Sequence, residues 1–163
     1  YKRKAIKDLF FVEGIYFEDV PFTTELMMRI KSIAIIDMPL YYYYSNPHSI
    51  MRTSFTPQKV FSYIRLIRHI AQVTQELRPE LVPLVRRKIL NGRFKMMVNQ
   101  AIRKQKDIAK RRELFDKMQP EVISLFREGI ISYAGLKPHH RLTLFLLVHC
   151  KTSTPARLVM TYL

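Results

Sequence analysis

Residues 33–45 read IAIIDMPLYYYYS, and whether they pair as strands decides the fold class of this 163-residue chain. Residues 33–37 form an apolar, β-branched run of strand length, closed by Met38-Pro39. Residues 40–45 follow as a second short strand, because aromatic side chains suit a pleated, half-buried surface. Strand alternation would send two of Tyr41, Tyr42, Tyr43 and Tyr44 to each face, so at least two are expected in the core. Asn46-Pro47 then marks a turn, and the loop continues to about residue 54.

On either side of this pair the pattern is helical. Ala5, Ile6, Leu9 and Phe10 are spaced for a short amphipathic helix over residues 2–10, and residues 11–20 read as a loop. Pro21 suits the first turn of a helix with Phe22, Leu26, Met27 and Ile30 on its apolar side. From Pro57 a long helix is expected, with a stripe of Val60, Phe61, Ile64, Ile67, Ile70 and Ala71. A second spans residues 80–105, bent at Pro83 or near Gly92. Shorter helices are expected at 108–118, 121–128, 139–150 and 155–162. The fold class expected is therefore α+β, mainly α, with a boundary separating residues 1–54 from a helical region at 55–163.

Composition bounds the partners. Hydrophobic residues make up 48% of the chain and charged residues 25%, as in an ordinary folded protein, so disorder is excluded. Only four glycines are present, which favours long helices over a turn-rich sheet fold. The single cysteine, Cys150, forbids an internal disulfide and sits in an apolar run, where a buried inert thiol is expected. That run, residues 142–150, falls short of the roughly 20 residues a membrane span needs. Lys and Arg total 28 against 13 acidic residues, for a formal net charge of +15. Such an excess points to an anionic partner: nucleic acid, an anionic membrane leaflet or a phosphorylated substrate.

The chemistry-bearing candidates lie upstream of the strands. Glu18-Asp19 stands immediately before the Pro21 helix. A carboxylate there can cap free N–H groups and complement the helix dipole. It can equally take a proton from an incoming nucleophile. Spacing alone does not separate the two.

A longer series does bear on the choice: FVEGIYFEDVPF at 11–22, a helix, IAIIDMPLYYY at 33–43 and the Asn46, Ser49, Ile50 loop. In that order and spacing it resembles the bacterial family-2 inverting glycosyltransferases of the GT-A fold, over roughly the first third of the chain. The resemblance implies that residues 1–54 are the C-terminal, acceptor-side part of a GT-A catalytic domain, followed by a helical extension. It implies that Asp19 is the general base on an acceptor hydroxyl and that Glu18 supports it. His48 stands where the family commonly has a basic residue reaching the donor diphosphate, beside Ser49 and with Arg52 shortly after. Gly14 is a candidate for close approach to the acceptor. The activity implied is transfer of a sugar from a nucleotide-diphosphate sugar donor to a saccharide or lipid-linked acceptor, in cell-envelope or capsular polysaccharide synthesis. A divalent metal, Mg or Mn, is implied as cofactor of the full-length enzyme, with its ligands mostly in the N-terminal, donor-binding half.

The family's Asp-x-Asp motif and a glycine-rich phosphate loop are both absent from this stretch, and the chain opens at Tyr1. The expectation is a piece lacking the donor-binding half and inactive by itself. Adjacent His139 and His140 lack the spacing and acidic neighbours of a metal site.

Between Arg86 and Arg112 eleven basic residues face a single acid, Asp107. With Leu90, Phe94, Met97, Val98 and Ile102 interleaved, they suggest a basic amphipathic helix for an anionic membrane surface. A cytoplasmic protein, peripheral at the inner face of the membrane, is the matching location. The alternative reading is a non-catalytic binding module for such a surface or for nucleic acid. Nucleic acid is the weaker of the two, because no groove-reading motif accompanies the charge.

Overall fold

A computed structural model describes residues 2–46, 49–50 and 53–150. Their regular structure is all helical. After a single 3-10 turn at Arg3–Ala5 come α1 (Asp19–Arg29) and α2 (Pro57–Leu77). A 3-10 turn at Pro79–Leu81 leads into α3, residues 82–103. The chain then forms α4 (Ile108–Arg127) and α5 (Pro138–His149). The helix expected at 155–162 lies outside the described residues.

The α+β expectation, with its GT-A strand pair, is overturned, since no strand forms among the described residues. Ile35 is 93% exposed and Tyr41 to Tyr44 are 80–85% exposed, so none of the four tyrosines enters the core. The physical reason is the lack of a third layer. An isolated two-stranded ribbon is marginal in water and needs more strands or a covering helix.

The helices form for reasons the sequence states. Thr56 caps α2 by accepting from the Lys59 N–H, with Pro57 at the first position. Asp107 caps α4 in the same way, accepting from Lys110 N–H at 3.1 Å. The buried side of α2 carries Val60, Tyr63, Ile64, Leu66, Ile67, Ile70 and Val73. Against it pack α1, α3 and α4, while α5 packs on α4. Phe61, expected in the stripe, is half exposed, and Tyr63 and Leu66 take its place. In α1 it is Met28 rather than Met27 that turns inward.

Three elements differ from expectation. The amphipathic helix expected over residues 2–10 is only the 3-10 turn Arg3–Ala5, with no hydrogen-bonded α turn following it. Residues 108–127 form one helix through Pro120, not two. An interior proline costs about 3 kcal/mol. Leu114, Phe115 and Met118 before it, and Val122 and Leu125 after it, share one buried stripe. Burial at roughly 1.5–3 kcal/mol each outweighs the break. In α3 the helix runs on through Pro83 and Gly92, the two positions expected to bend it, without interruption. It widens into π turns at Arg86–Leu90 and Asn99–Arg103, on either side of Gly92.

Polar ties hold the ends. Arg68 of α2 pairs with Glu128 and donates to Ser124 Oγ at 2.8 Å. Asn91, fully buried in α3, donates to Ala134 O at 2.6 Å and accepts from Ser132 N–H at 3.1 Å. That amide pins the connection between α4 and α5.

Asn91→Ala should destabilise the fold by about 2–4 kcal/mol in urea unfolding, because two backbone groups lose their partner. The Arg68 pair sets a pH dependence. Hydrogen bonds from Arg68 and then Ser124 hold the Glu128 carboxyl below its usual 4.5. Its contribution is therefore fully present above pH 4.5 and is lost as pH falls through the lower folded value. With Glu128 43% exposed, Glu128→Gln should cost under about 1 kcal/mol at pH 7 and progressively less as pH falls below 4.5, read from urea midpoints.

Candidate functional site

One face of α2 straps down the segment that carries the carboxylates. Gln58 Nε2 donates to Gly14 O at 3.3 Å, Ser62 Oγ accepts from Tyr16 N–H at 3.0 Å and Arg65 donates to Glu13 O at 3.1 Å. One turn on, His69 meets Glu25 at 3.3 Å. Positions 58, 62, 65 and 69 are successive turns of a single helix face, so the strap follows from helical spacing.

The chain then turns sharply. Phe17 has φ of 65°, a left-handed conformation that costs a bulky residue about 1–3 kcal/mol. Its ring packs on Tyr63 with centroids 5.1 Å apart, which holds it there. The turn delivers Glu18 and Asp19 to the start of α1, exposed, with neither side chain capping the helix. Glu18 makes no cap hydrogen bond and Asp19 lies in the first turn, where its charge complements the helix dipole, while both carboxylates face open space.

That space is a cleft of about 860 Å³. Glu18, Asp19 and Phe17 form one wall, and Tyr41 to Tyr44 another. Asn46 and Ser49 lie at its edge, with Tyr63, Arg93 and Met96 on the helical side. Burial pushes the Tyr63 phenol up, and the Arg93 guanidinium pulls it part of the way back.

The candidate residues therefore divide. Glu18, Asp19 and Ser49 line the one cleft. Gly14 does not line it: its φ of +72° makes a turn, and its carbonyl is held by Gln58. His48 and Arg52 lie outside the described residues. Two carboxylates do not make a divalent-cation site, and no group of three His, Cys, Asp or Glu comes together among the described residues.

Two residues that the sequence reading passed over shape the site. Lys59 is 4% exposed. Its Nζ donates to Ile50 O at 2.7 Å, to Thr53 O at 3.0 Å and Thr53 Oγ1 at 2.8 Å, and to Ser54 O at 3.1 Å. Burial lowers its pKa. The ammonium gathers the loop that bears Ser49 onto the start of α2. Its signal was a lysine beside the apolar stripe of α2. Arg93, the second, sits on α3 and was submerged in the run of eleven cations.

Those cations do not share one face. Lys88, Arg93, Lys95 and Arg103 line a second hollow, of about 640 Å³, with Lys137, His139 and His140. Arg87 packs beneath Gly135, and Arg111 donates to Gln105 O. Burial lowers the His140 pKa, followed by the positive charges of His139, Lys95, Arg103 and Lys137. No helix among the described residues is long and apolar enough to cross a membrane.

Comparison of the chain with family models, with curated proteins and with solved structures finds no match.

Lys59→Met should release the 49–54 loop, whose carbonyls lose their common donor. The Thr53 amide, bonded to Ser49 O at 3.2 Å, should then lose protection in hydrogen exchange while α4 amides keep theirs.

Proposed function

We propose that this chain carries the acceptor-activating side of an inverting glycosyltransferase. The observation that carries the reading is that Asp19 and Glu18, uncommitted to capping, open onto the same cleft as Tyr41 to Tyr44, Asn46 and Ser49. The tyrosines offer flat apolar faces with hydroxyl handles, which suit the alternately apolar and polar surfaces of a saccharide. Asn46 and Ser49 add groups able to bond sugar hydroxyls.

In this reading an acceptor hydroxyl sits against the Asp19 carboxylate, which takes its proton as the oxygen attacks the anomeric carbon of the donor sugar. The sugar–phosphate bond breaks on the opposite side, inverting the centre, and the electron pair leaves with the nucleoside diphosphate. Glu18, adjacent on the same turn, supports a cationic or polar partner of the acceptor rather than a second proton transfer. Arg93, on the helical side of the cleft, supplies positive charge near the developing negative charge.

Asp19→Asn keeps the shape of the side chain and removes the base. In the full-length polypeptide, assayed with a panel of nucleotide-diphosphate sugars, it should lower kcat at least a hundredfold and leave donor affinity within about twofold. Turnover near the wild-type rate in this variant overturns the assignment. Saccharide binding by the chain itself is readable in tyrosine emission, since the protein has nine tyrosines and no tryptophan.

A further inference from the structure

The hollow between α3 and the start of α5 is a second site. Lys88, Gly92, Lys95, Asn99 and Arg103 recur every three or four residues, so they line one stripe of α3. Lys137 and His140 close the hollow from the other side. Five cations thus line it, and no carboxylate does. No salt bridge among the described residues involves Lys88, Arg93, Lys95, Arg103 or Lys137. Arg68, by contrast, has both Glu121 and Glu128 within reach. A protein with 13 acidic residues could have paired these cations and does not.

The floor is shaped as well as charged. Gly92 lies in the middle of a helix, where glycine is disfavoured relative to alanine. A Cβ there would meet nothing within 4 Å, so no neighbouring group requires the glycine. What the missing side chain leaves is open hollow and accessible backbone. The two π turns bracket this point, and such turns are frequent at functional sites.

We propose that this hollow binds a phosphoryl or diphosphoryl group. Convergent Lys and Arg side chains around a concave surface suit phosphate oxygens, whereas a flat basic face would attract any polyanion. Desolvation lowers the pKa of the half-buried His140 first, and the positive charges of His139, Lys95, Arg103 and Lys137 lower it further. Arg93 and Met96 line both the hollow and the Asp19 cleft, so a bound phosphate would lie beside the acceptor position. That juxtaposition rests on the glycosyltransferase reading; the phosphate site itself does not.

The test is binding, with inorganic pyrophosphate as probe and calorimetry as readout. The wild-type chain should bind it saturably, at one site, in 150 mM salt. Lys95→Glu and Arg103→Glu should each weaken binding at least tenfold. Lys117→Glu, an equal charge change on α4 away from the hollow, should leave it within twofold. Gly92→Leu fills the floor at constant charge, so it should also weaken binding tenfold while leaving the thermal midpoint unchanged or higher. Gly92→Ala is the milder form of the same change should the leucine perturb the fold.

Vesicles distinguish the source of the phosphate. Phosphatidylglycerol vesicles that pellet the chain and release it to pyrophosphate place the group on a lipid. Pyrophosphate binding without vesicle binding places it on a soluble ligand. Equal losses in Lys95→Glu and Lys117→Glu, an unaffected Gly92→Leu, or equally tight binding of generic duplex DNA would each overturn the site. None of these measurements requires Asp19, so failure here and failure of Asp19→Asn are separable.

Discussion

The buried side of α2, from Val60 to Val73, is the surface on which the rest of the molecule assembles. Leu66, Ile67 and Ile70 are wholly out of solvent, and α1, α3 and α4 all lie against this helix. Its 21 residues give six turns, long enough to offer separate turns to separate neighbours. With no sheet to supply an alternative layer, the apolar stripes of the other helices must bury against α2 or against what already packs on it. α5 takes the second course, resting on α4.

The same helix reaches into the cleft. Gln58, Ser62 and Arg65 hold the 13–16 segment, Tyr63 supports the strained Phe17, and Lys59 gathers the Ser49 loop. The position of Glu18 and Asp19 is therefore set by α2 more than by α1, which they begin. Backbone strain at Phe17 persists because ring packing on Tyr63 and Tyr16 overdetermines it. A cleft built in this way is coupled to the core: loosening the first three turns of α2 would move its carboxylates and its loop together.

The exposed run at 33–44 is the counterweight. Ile33, Ile35, Ile36, Met38 and Leu40 are all at least 60% exposed, where a folded chain would ordinarily bury them. Their composition is that of strands, yet no strand forms here. What failed was the assumption of partners. β propensity measures fit to a neighbouring surface more than a backbone preference, and among the described residues no such surface meets this run. Pro120 is the mirror case, a local breaker overruled by burial on both sides of it.

The sequence by itself determined where α2 and α4 begin and most of the stripe that each buries. Thr56-Pro57 and Asp107 mark starts through hydrogen bonds made within four residues, and the i, i+3, i+4 recurrence of apolar residues identifies the inner face. It also set the charge excess that makes an anionic ligand the natural partner. Only the tertiary structure decided that Glu18 and Asp19 are not caps, that Lys59 turns inward, and that Lys88, Lys95 and Arg103 converge with Lys137 and His140 while Arg87 and Arg111 do not. The reason is physical. Capping and periodicity are properties of a few adjacent residues, whereas a cleft or a hollow exists only where side chains from distant segments meet across space. No local pattern states which segments those will be.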